Sequence, residues 1–455
     1  GVHIKNKTWL ILKFIELYVI LLHLQVFYCI IRLYFRRVDV VRKVYTSIDI
    51  GSDTIKFVVG ENLNNQVKVL SSYEIKSKGI RKGLVIDSNL ASNAIKDGIK
   101  EINKDLGFDI KKVIVNVSEE DARFKLVSAS MKVDGVITSD IISKLIKTSV
   151  YNKLDNDYEL VTAIPIDFVI DGTSSGIHVI NKKASEVELK AIMISVPKKN
   201  IYSVIEVIEK SNLEVVDITL PSLGDYYEVR SKFTDNKVGA VINLGHETTN
   251  VSVFNHGKLM NVGVINLGGL NVDKDLAYVF GINIFDGRML KERFASSHKR
   301  FNVLNDTFEI KNTIGETIKL NQLEVTEVVM SRLVEILNFA KKQILLLTKQ
   351  EIDYIIVTGG LTEIKSFKNL ITEVFGKGTL VYKVDTIGVR DNKYTTALGM
   401  IKYFIDKMDV RGKEYSMISE TDEELLVKPD SKLKKENIDV IGKMFKNFIK
   451  NKEEE

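Results

Sequence analysis

A strand–turn–strand outline occurs twice in this chain, 194 residues apart, and no other feature restricts its fold as much. Residues 44–50 read as an apolar strand, 51–53 as a tight turn and 54–59 as the returning strand. Residues 240–244, 245–247 and 248–254 repeat that outline. Set side by side, Asp49-Ile50-Gly51-Ser52-Asp53-Thr54 and Asn243-Leu244-Gly245-His246-Glu247-Thr248 share Gly and Thr in register. A single hairpin of this kind carries no function. Two copies at half-chain spacing predict two similar domains facing each other.

The turns have a definite chemistry. A glycine turn exposes backbone N–H groups that form an anion-binding nest. Ser52, Thr54, Thr248 and Thr249 add hydroxyl donors. Two such hairpins, closing from opposite sides, would hold a polyphosphate. Asp49 ends its strand, where a carboxylate can hold a magnesium ion through water. A third element is the apolar strand Tyr354–Thr358, followed by Gly359-Gly360-Leu361 and a helical stretch over 366–375. A Gly-Gly pair at a strand end lets a flat ring approach the backbone.

Composition removes other classes. At 45% hydrophobic and 27% charged residues, the 455-residue chain is neither largely disordered nor a polytopic membrane protein. One cysteine excludes a disulfide framework and a cysteine-based zinc site, and fits a reducing compartment. The six histidines form no ligand-spaced pair. Neither a Gly-x-Ser-x-Gly nor a Gly-x-x-x-x-Gly-Lys-Ser/Thr motif is present. Residues 1–43 hold eight basic and two acidic side chains, a net +6 against +5 for the whole chain, so the remainder sums to −1. That body has no attraction for nucleic acid.

The first forty residues stand apart. Residues 17–31 carry no formal charge, yet His23 and Gln25 interrupt them. Fifteen residues fall short of the ~20 that a spanning helix needs, and no small-residue cleavage site follows. The expectation is that 1–43 is a hydrophobic extension not native to the protein. A signal anchor and a buried or interfacial helix are the alternatives.

The body resembles the actin-superfamily ATPases, and among them the FtsA family of bacterial division proteins. The first phosphate loop matches from Asp49 to Lys56. Gly79, Gly83 and Asp87 resemble the entry to the extra subdomain that separates FtsA from actin, and Ile164-Pro165 to Asp171-Gly172 resembles the return. Asn266, Gly269 and Asp275 follow the second loop as in the family, and Ser331-Arg332 with Glu335 matches a family helix. Arg390-Asp391 and Tyr394 to Gly399 match the stretch after the adenosine motif.

The resemblance implies an α/β, actin-like (ribonuclease H-like) two-domain fold with an FtsA-type extra subdomain and a C-terminal amphipathic helix. Subdomain 1A would be 44–78 and 159–236, the extra subdomain 1C 79–158, subdomain 2A 237–276 and 346–408, and subdomain 2B 277–345. It implies ATP and Mg²⁺ held by Asp49, Gly51, Ser52, Asp53, Thr54, Lys56, Asn243, Gly245, His246, Glu247, Thr248, Thr249, Arg288, Lys291, Gly359, Gly360 and Leu361, with Asp49 toward the metal. It implies filaments built through 1C and 2B, an FtsZ C-terminal peptide docked on 2B, and later division proteins as partners. The place would be the cytoplasmic face of the cell membrane at the division site.

Three departures bear on the chemistry. Asn243 stands where the family opens its second loop with Asp. Arg288 replaces an expected acid beside Lys291. Leu220 precedes Pro221 where hydrolytic relatives place a water-orienting polar residue. Leucine cannot orient water, so slow or absent ATP turnover is expected.

Residues 409–437 are polar and read as a flexible linker. Beyond it, at 100° per residue, Ile438, Ile441, Phe445, Phe448 and Ile449 share one face, with Met444 at its edge. Lys443, Lys446 and Lys450 gather opposite. A helix of some thirteen residues is about 20 Å long, too short to span a core of about 30 Å. It would lie in the interface, with its lysines meeting anionic lipids. Two other readings are a small-molecule kinase of the superfamily, which lacks a visible catalytic carboxylate, and a pilus-assembly relative of FtsA.

Overall fold

Each half of the chain builds a sheet outward from the hairpin that the repeat marks. The computed structural model describes residues 42–64, 66–301 and 306–427. Strand β1 (Lys43–Ile50) turns at Gly51 into β2 (Thr54–Leu63), pairing Asp49 with Lys56 and Ile50 with Ile55. Strand β3 (Gln66–Lys76) continues antiparallel. A minimal hairpin, β4 (Ile80–Arg81) and β5 (Leu84–Val85), leads into helix α1 (Ser88–Leu106). The Asp87 carboxylate caps the N–H groups of Asn89 and Leu90, and Gly107 ends the helix in the left-handed region. The chain returns as β6 (Lys112–Asn116), parallel to β1.

Strands β7 (Arg123–Val136), β8 (Tyr158–Ile170), β9 (Thr173–Ser174) and β10 (Lys183–Pro197) form a separate sheet in the order β7-β10-β8-β9. Helix α2 (Ser139–Val150) packs Ile142 and Leu145 against its Phe168, Val187 and Leu189. Helix α3 (Lys198–Lys210) and strand β11 (Glu214–Thr219) complete the first sheet, ordered β11-β6-β1-β2-β3. Helix α4 (Pro221–Val229) begins with proline in its first turn, where the missing N–H costs nothing.

The second half repeats the plan. Strands β12 (Val238–Leu244), β13 (Thr249–Asn255) and β14 (Lys258–Ile265) are antiparallel neighbours. Helices α5 (Gly269–Phe280) and α6 (Ile284–Met289) follow. A two-stranded ribbon, β15 (Thr307–Lys311) and β16 (Thr317–Asn321), precedes helix α7 (Gln322–Leu347). Strand β17 (Tyr354–Thr358) returns parallel to β12, then helix α8 (Phe367–Phe375) leads to β18 (Thr379–Val381). The sheet runs β14-β13-β12-β17-β18. Each half therefore orders its strands third, second, first, fourth, fifth, with the same directions. Helix α9 (Thr395–Val410) crosses back and packs Leu398, Ile401 and Phe404 on Tyr45, Val58 and Ile114 of the first sheet.

Two sequence expectations are corrected. Residues 79–158 do not form one inserted unit: α1 and β6 belong to the first sheet, and the separate sheet runs from β7 to β10. Residues 409–427 are not a free linker. Met417 is buried, its N–H donates to Val44 O at 2.9 Å, and Val44 N–H donates to Ser416 Oγ at 3.3 Å. This segment satisfies the start of β1, where β6 does not reach. Helix α10 (Glu420–Val427) then begins with Ser419 and Asp422 capping each other. The hydrophobic extension up to residue 41, the rest of the linker and the amphipathic helix at 438–455 lie outside the described residues. Among the described residues no helix is long and apolar enough to cross a membrane.

Candidate functional site

The two hairpin turns meet at one cavity of about 520 Å³. They lie at the carboxyl ends of β1 and β12, where open α/β sheets bind ligands. Their glycines are matched in detail. A Cβ on Gly51 would sit 2.8 Å from Thr54 O, and one on Gly245 would sit 2.7 Å from Thr248 O. Both turns are too tight for a side chain. The Gly245 N–H donates to Thr248 O at 3.0 Å. Helix α5 docks against the second turn, where Gly269 N–H donates to Gly245 O and Leu270 N–H to His246 O. A Cβ on Gly268 would strike both of those carbonyls, at 2.7 and 2.6 Å.

Of the seventeen residues expected at a ligand, the cavity wall gathers Asp49, Gly51, Ser52, Asp53, Thr54 and Lys56 from the first hairpin. It gathers Asn243, Gly245, His246, Glu247 and Thr248 from the second, and Arg288, Lys291, Gly359, Gly360 and Leu361 from the elements that follow. Thr249 is the exception. It is fully buried and its hydroxyl donates to Leu267 O at 2.9 Å, so it ties strand ends together.

Several side chains are engaged within the protein. Asp49 accepts from Asn116 Nδ2 at 2.8 Å and from Lys56 Nζ at 3.4 Å. Lys291 is buried in an ion pair with Asp273 at 2.7 Å and also donates to Gly269 O. Arg288, expected to face a nucleoside, lines the cavity and reaches across it to the first half. Its guanidinium grips both Asp53 oxygens at 2.8 Å. Burial alone would raise the Asp53 carboxyl, but hydrogen bonds from Arg288 and Lys76 outweigh it and hold the group well below the usual carboxylate range. The bond between Lys82 N–H and Glu247 Oε2, 2.5 Å, crosses the mouth from the first half to the second loop. Burial lowers His246, whose ring lies 3.6 Å from Asp53.

Four residues at this site were not found from sequence. Asn116, at the end of β6, pins the first hairpin through Asp49 and through Ile50 N–H. Glu119 lines the cavity and caps α4, accepting from Ser222 N–H at 3.2 Å and Ser222 Oγ at 2.7 Å. Asp225 on α4 and Thr396 on α9 hold Asn243 from behind. The repeat held a signal for the first: strand four of each half ends at the cavity, in Asn116 and Thr358. Leu220, where a water-orienting residue was sought, is wholly buried.

Burial pushes Glu119 up to about 7, against the bonds from Ser222 and Asn250 that favour its ionised form. Burial, helped by Glu119 and Asp49, likewise raises Asp225 to about 7 against the bonds from Thr396 and Asn243. These shifts make a stability prediction. The folded value of Glu119 lies above its ordinary 4.5, so the folded state keeps a proton that the unfolded state releases. Its contribution is fully present below about 4.5 and is lost as pH rises through about 7, a difference on the order of 3 kcal/mol. Thermal midpoints measured from about pH 5 to about pH 8 should fall, and Glu119→Gln should fall less steeply. Parallel slopes would mean that Glu119 is ionised throughout.

Among the described residues no group of three His, Cys, Asp or Glu side chains is placed to hold a metal ion.

Comparison with known proteins agrees with this architecture. The family model for cell division protein FtsA matches residues 240–399. Cell division protein FtsA of Bacillus subtilis (strain 168) is 23% identical over 394 residues, covering 85% of this chain and 89% of that protein. Cell division protein FtsA of Streptococcus pneumoniae is 24% identical over 371 residues, 79% of each chain. Among solved structures, a PilM–PilN type IV pilus biogenesis complex superposes with a TM-score of 0.55 at 12% identity, covering 82% of this chain and 99% of that one. MreB5 of Spiroplasma citri bound to ADP gives 0.51 at 12% identity, covering 81% and 97%. These structures share the fold, which is actin-like.

Proposed function

We propose, from the premise that the chain is an FtsA-like division protein on an actin-like fold, that it binds ATP with magnesium between its two halves and assembles into filaments on a membrane. The observation that carries this reading is the pair of matched glycine turns on one cavity, each too tight for a side chain. Both turns offer backbone N–H groups and hydroxyls to a polyphosphate. The nucleotide held by the MreB5 relative belongs to that protein; for this chain the turns argue the same class of ligand. Asp49 would meet the magnesium ion through water. When bound, the ion would neutralise phosphate charge. Gly360, with open space where a Cβ would lie, leaves room for the flat base, while Gly359 lets strand β17 pack closely on Asn243 and Leu244.

Turnover should be slow, well below the ~10 per second of a typical enzyme, because Leu220 presents nothing to a water molecule. Partners follow from the FtsA-like character: other copies of the chain, a peptide from FtsZ docking within 277–345, anionic lipids and later division proteins. The amphipathic stretch at 438–450 would hold filaments to the inner face of the membrane.

Co-sedimentation of the full chain with anionic vesicles, with and without Mg-ATP, tests this reading. Filaments on lipid only with nucleotide would support it. A protein left monomeric and unbound in both conditions would sink it. Phe445→Glu puts a charge into the apolar face and should abolish vesicle binding while ATP binding persists. Undiminished vesicle binding would move the anchor to residues 1–43.

A further inference from the structure

The two halves of the site contain the same acid–amide pair with its partners exchanged. In the first half the acid is on the hairpin: Asp49 of β1 accepts from the amide of Asn116 at 2.8 Å. In the second half the amide is on the hairpin. Asn243 of β12 holds the register position of Asp49, and its Nδ2 donates to both oxygens of Asp225 at 3.0 and 2.9 Å. Asp225 is 1% exposed and is no part of the cavity wall, whereas Asn243 is.

The orientation of that amide follows from its partners. Its nitrogen faces Asp225, where both carboxyl oxygens accept from it. Thr396 Oγ1 adds to the same arrangement, donating to Asp225 at 2.6 Å and receiving Nδ2 at 3.3 Å. The Asn243 oxygen is thereby turned to the other side, against Gly359. A Cβ on Gly359 would come within 2.5 Å of it, and Gly359 has φ +98°, so no side chain fits there. The wall thus shows a neutral amide where the repeat has a carboxylate. The acid of the pair lies one layer behind, at Asp225.

We infer that Asp225 is a positioning residue for a polyphosphate ligand: it fixes Asn243 as a neutral amide on the cavity wall, and so leaves Asp49 as the one strand-end carboxylate that the phosphates and their magnesium meet. This rests on the nucleotide-binding reading above. The consequence is electrostatic. A second carboxylate beside the phosphates would repel them unless a divalent cation stood between. With a neutral amide in that place on the wall, part of the affinity survives removal of the cation.

The test is equilibrium binding of a fluorescent N-methylanthraniloyl ATP to the full chain, in magnesium and in EDTA. Asn243→Asp alone sets two carboxylates about 3 Å apart and can fail to fold. The decisive variant is the exchange Asn243→Asp with Asp225→Asn, which rebuilds the arrangement of Asp49 and Asn116. Its melting temperature should stay near that of the wild type. Its loss of affinity in EDTA should exceed the wild-type loss by about tenfold or more. A folded exchange variant whose magnesium dependence equals that of the wild type would overturn the inference, since Asp225 would then only brace the helix. Wild-type protein that binds no nucleotide at all would overturn the nucleotide reading itself, and the inference with it.

Discussion

Gly399→Ala is expected to destabilise the protein by on the order of 3 kcal/mol or more. An exposed helix interior would give the opposite sign, because alanine is favoured over glycine there by up to about 1 kcal/mol. Here α9 crosses α4 with their backbones in contact. A Cβ on Gly399 would lie 1.7 Å from Gly224 O and 2.9 Å from Glu228 N, and a Cβ on Gly224 would lie 2.7 Å from Thr396 O. These are backbone atoms, so no rotamer relieves the clash. The helices must separate, and the buried Leu223, Leu398 and Ile401 lose contact with their neighbours. The same crossing brings Thr396 to Asp225 at 2.6 Å. Separation would therefore release Asn243 as well as loosen the core. Chemical denaturation with a folding midpoint at or above the wild-type value would show that the helices do not meet this closely.

The glycines of the turns were legible in the sequence because a turn is local: its geometry is set by three or four consecutive residues. The two-sheet duplication followed from the same signal. What was not legible came from crossovers. Asn116 and Glu119 reach the cavity, and Asp225 reaches Asn243 behind its wall, only after the chain has run out along a helix and back along a parallel strand. No spacing along the chain encodes that return. The misplaced boundary of the inserted unit has a sharper cause. Val113, Ile114 and Val115 form an unbroken buried run, the mark of a central parallel strand, whereas β7 alternates between covered and exposed residues as a one-sided strand does. Treating both as strands of one unit ignored that difference. The linker at 409–427 looked free because its composition is polar. One buried methionine and a few backbone hydrogen bonds to β1 suffice to hold it.

Arg288→Glu should open the mouth of the cavity and speed ligand release by about 10- to 100-fold. The argument starts from Asp53, at the tip of the first hairpin, whose side chain is 14% exposed. Its two oxygens take both arms of the Arg288 guanidinium from α6 in the other half, and Lys76 adds positive charge. A paired, charge-assisted bond of this kind contributes about 1.5–3 kcal/mol. Arg288 is one-third exposed, so solvent screening brings the value toward the lower end. Glutamate at 288 removes both bonds and turns attraction into repulsion, which restores part of the lost magnitude. Release of the fluorescent ATP, followed by displacement, measures the effect. Wild-type release should quicken with salt, because salt screens the pair, while the variant should respond less. The double reversal, Asp53→Arg with Arg288→Glu, should recover slow release, although Lys76 would then face a like charge and keep the recovery incomplete. Release that is unchanged in the single variant would mean that Asp53 and Arg288 pair without holding the halves together, and that closure rests on Glu247 and the Lys82 N–H alone.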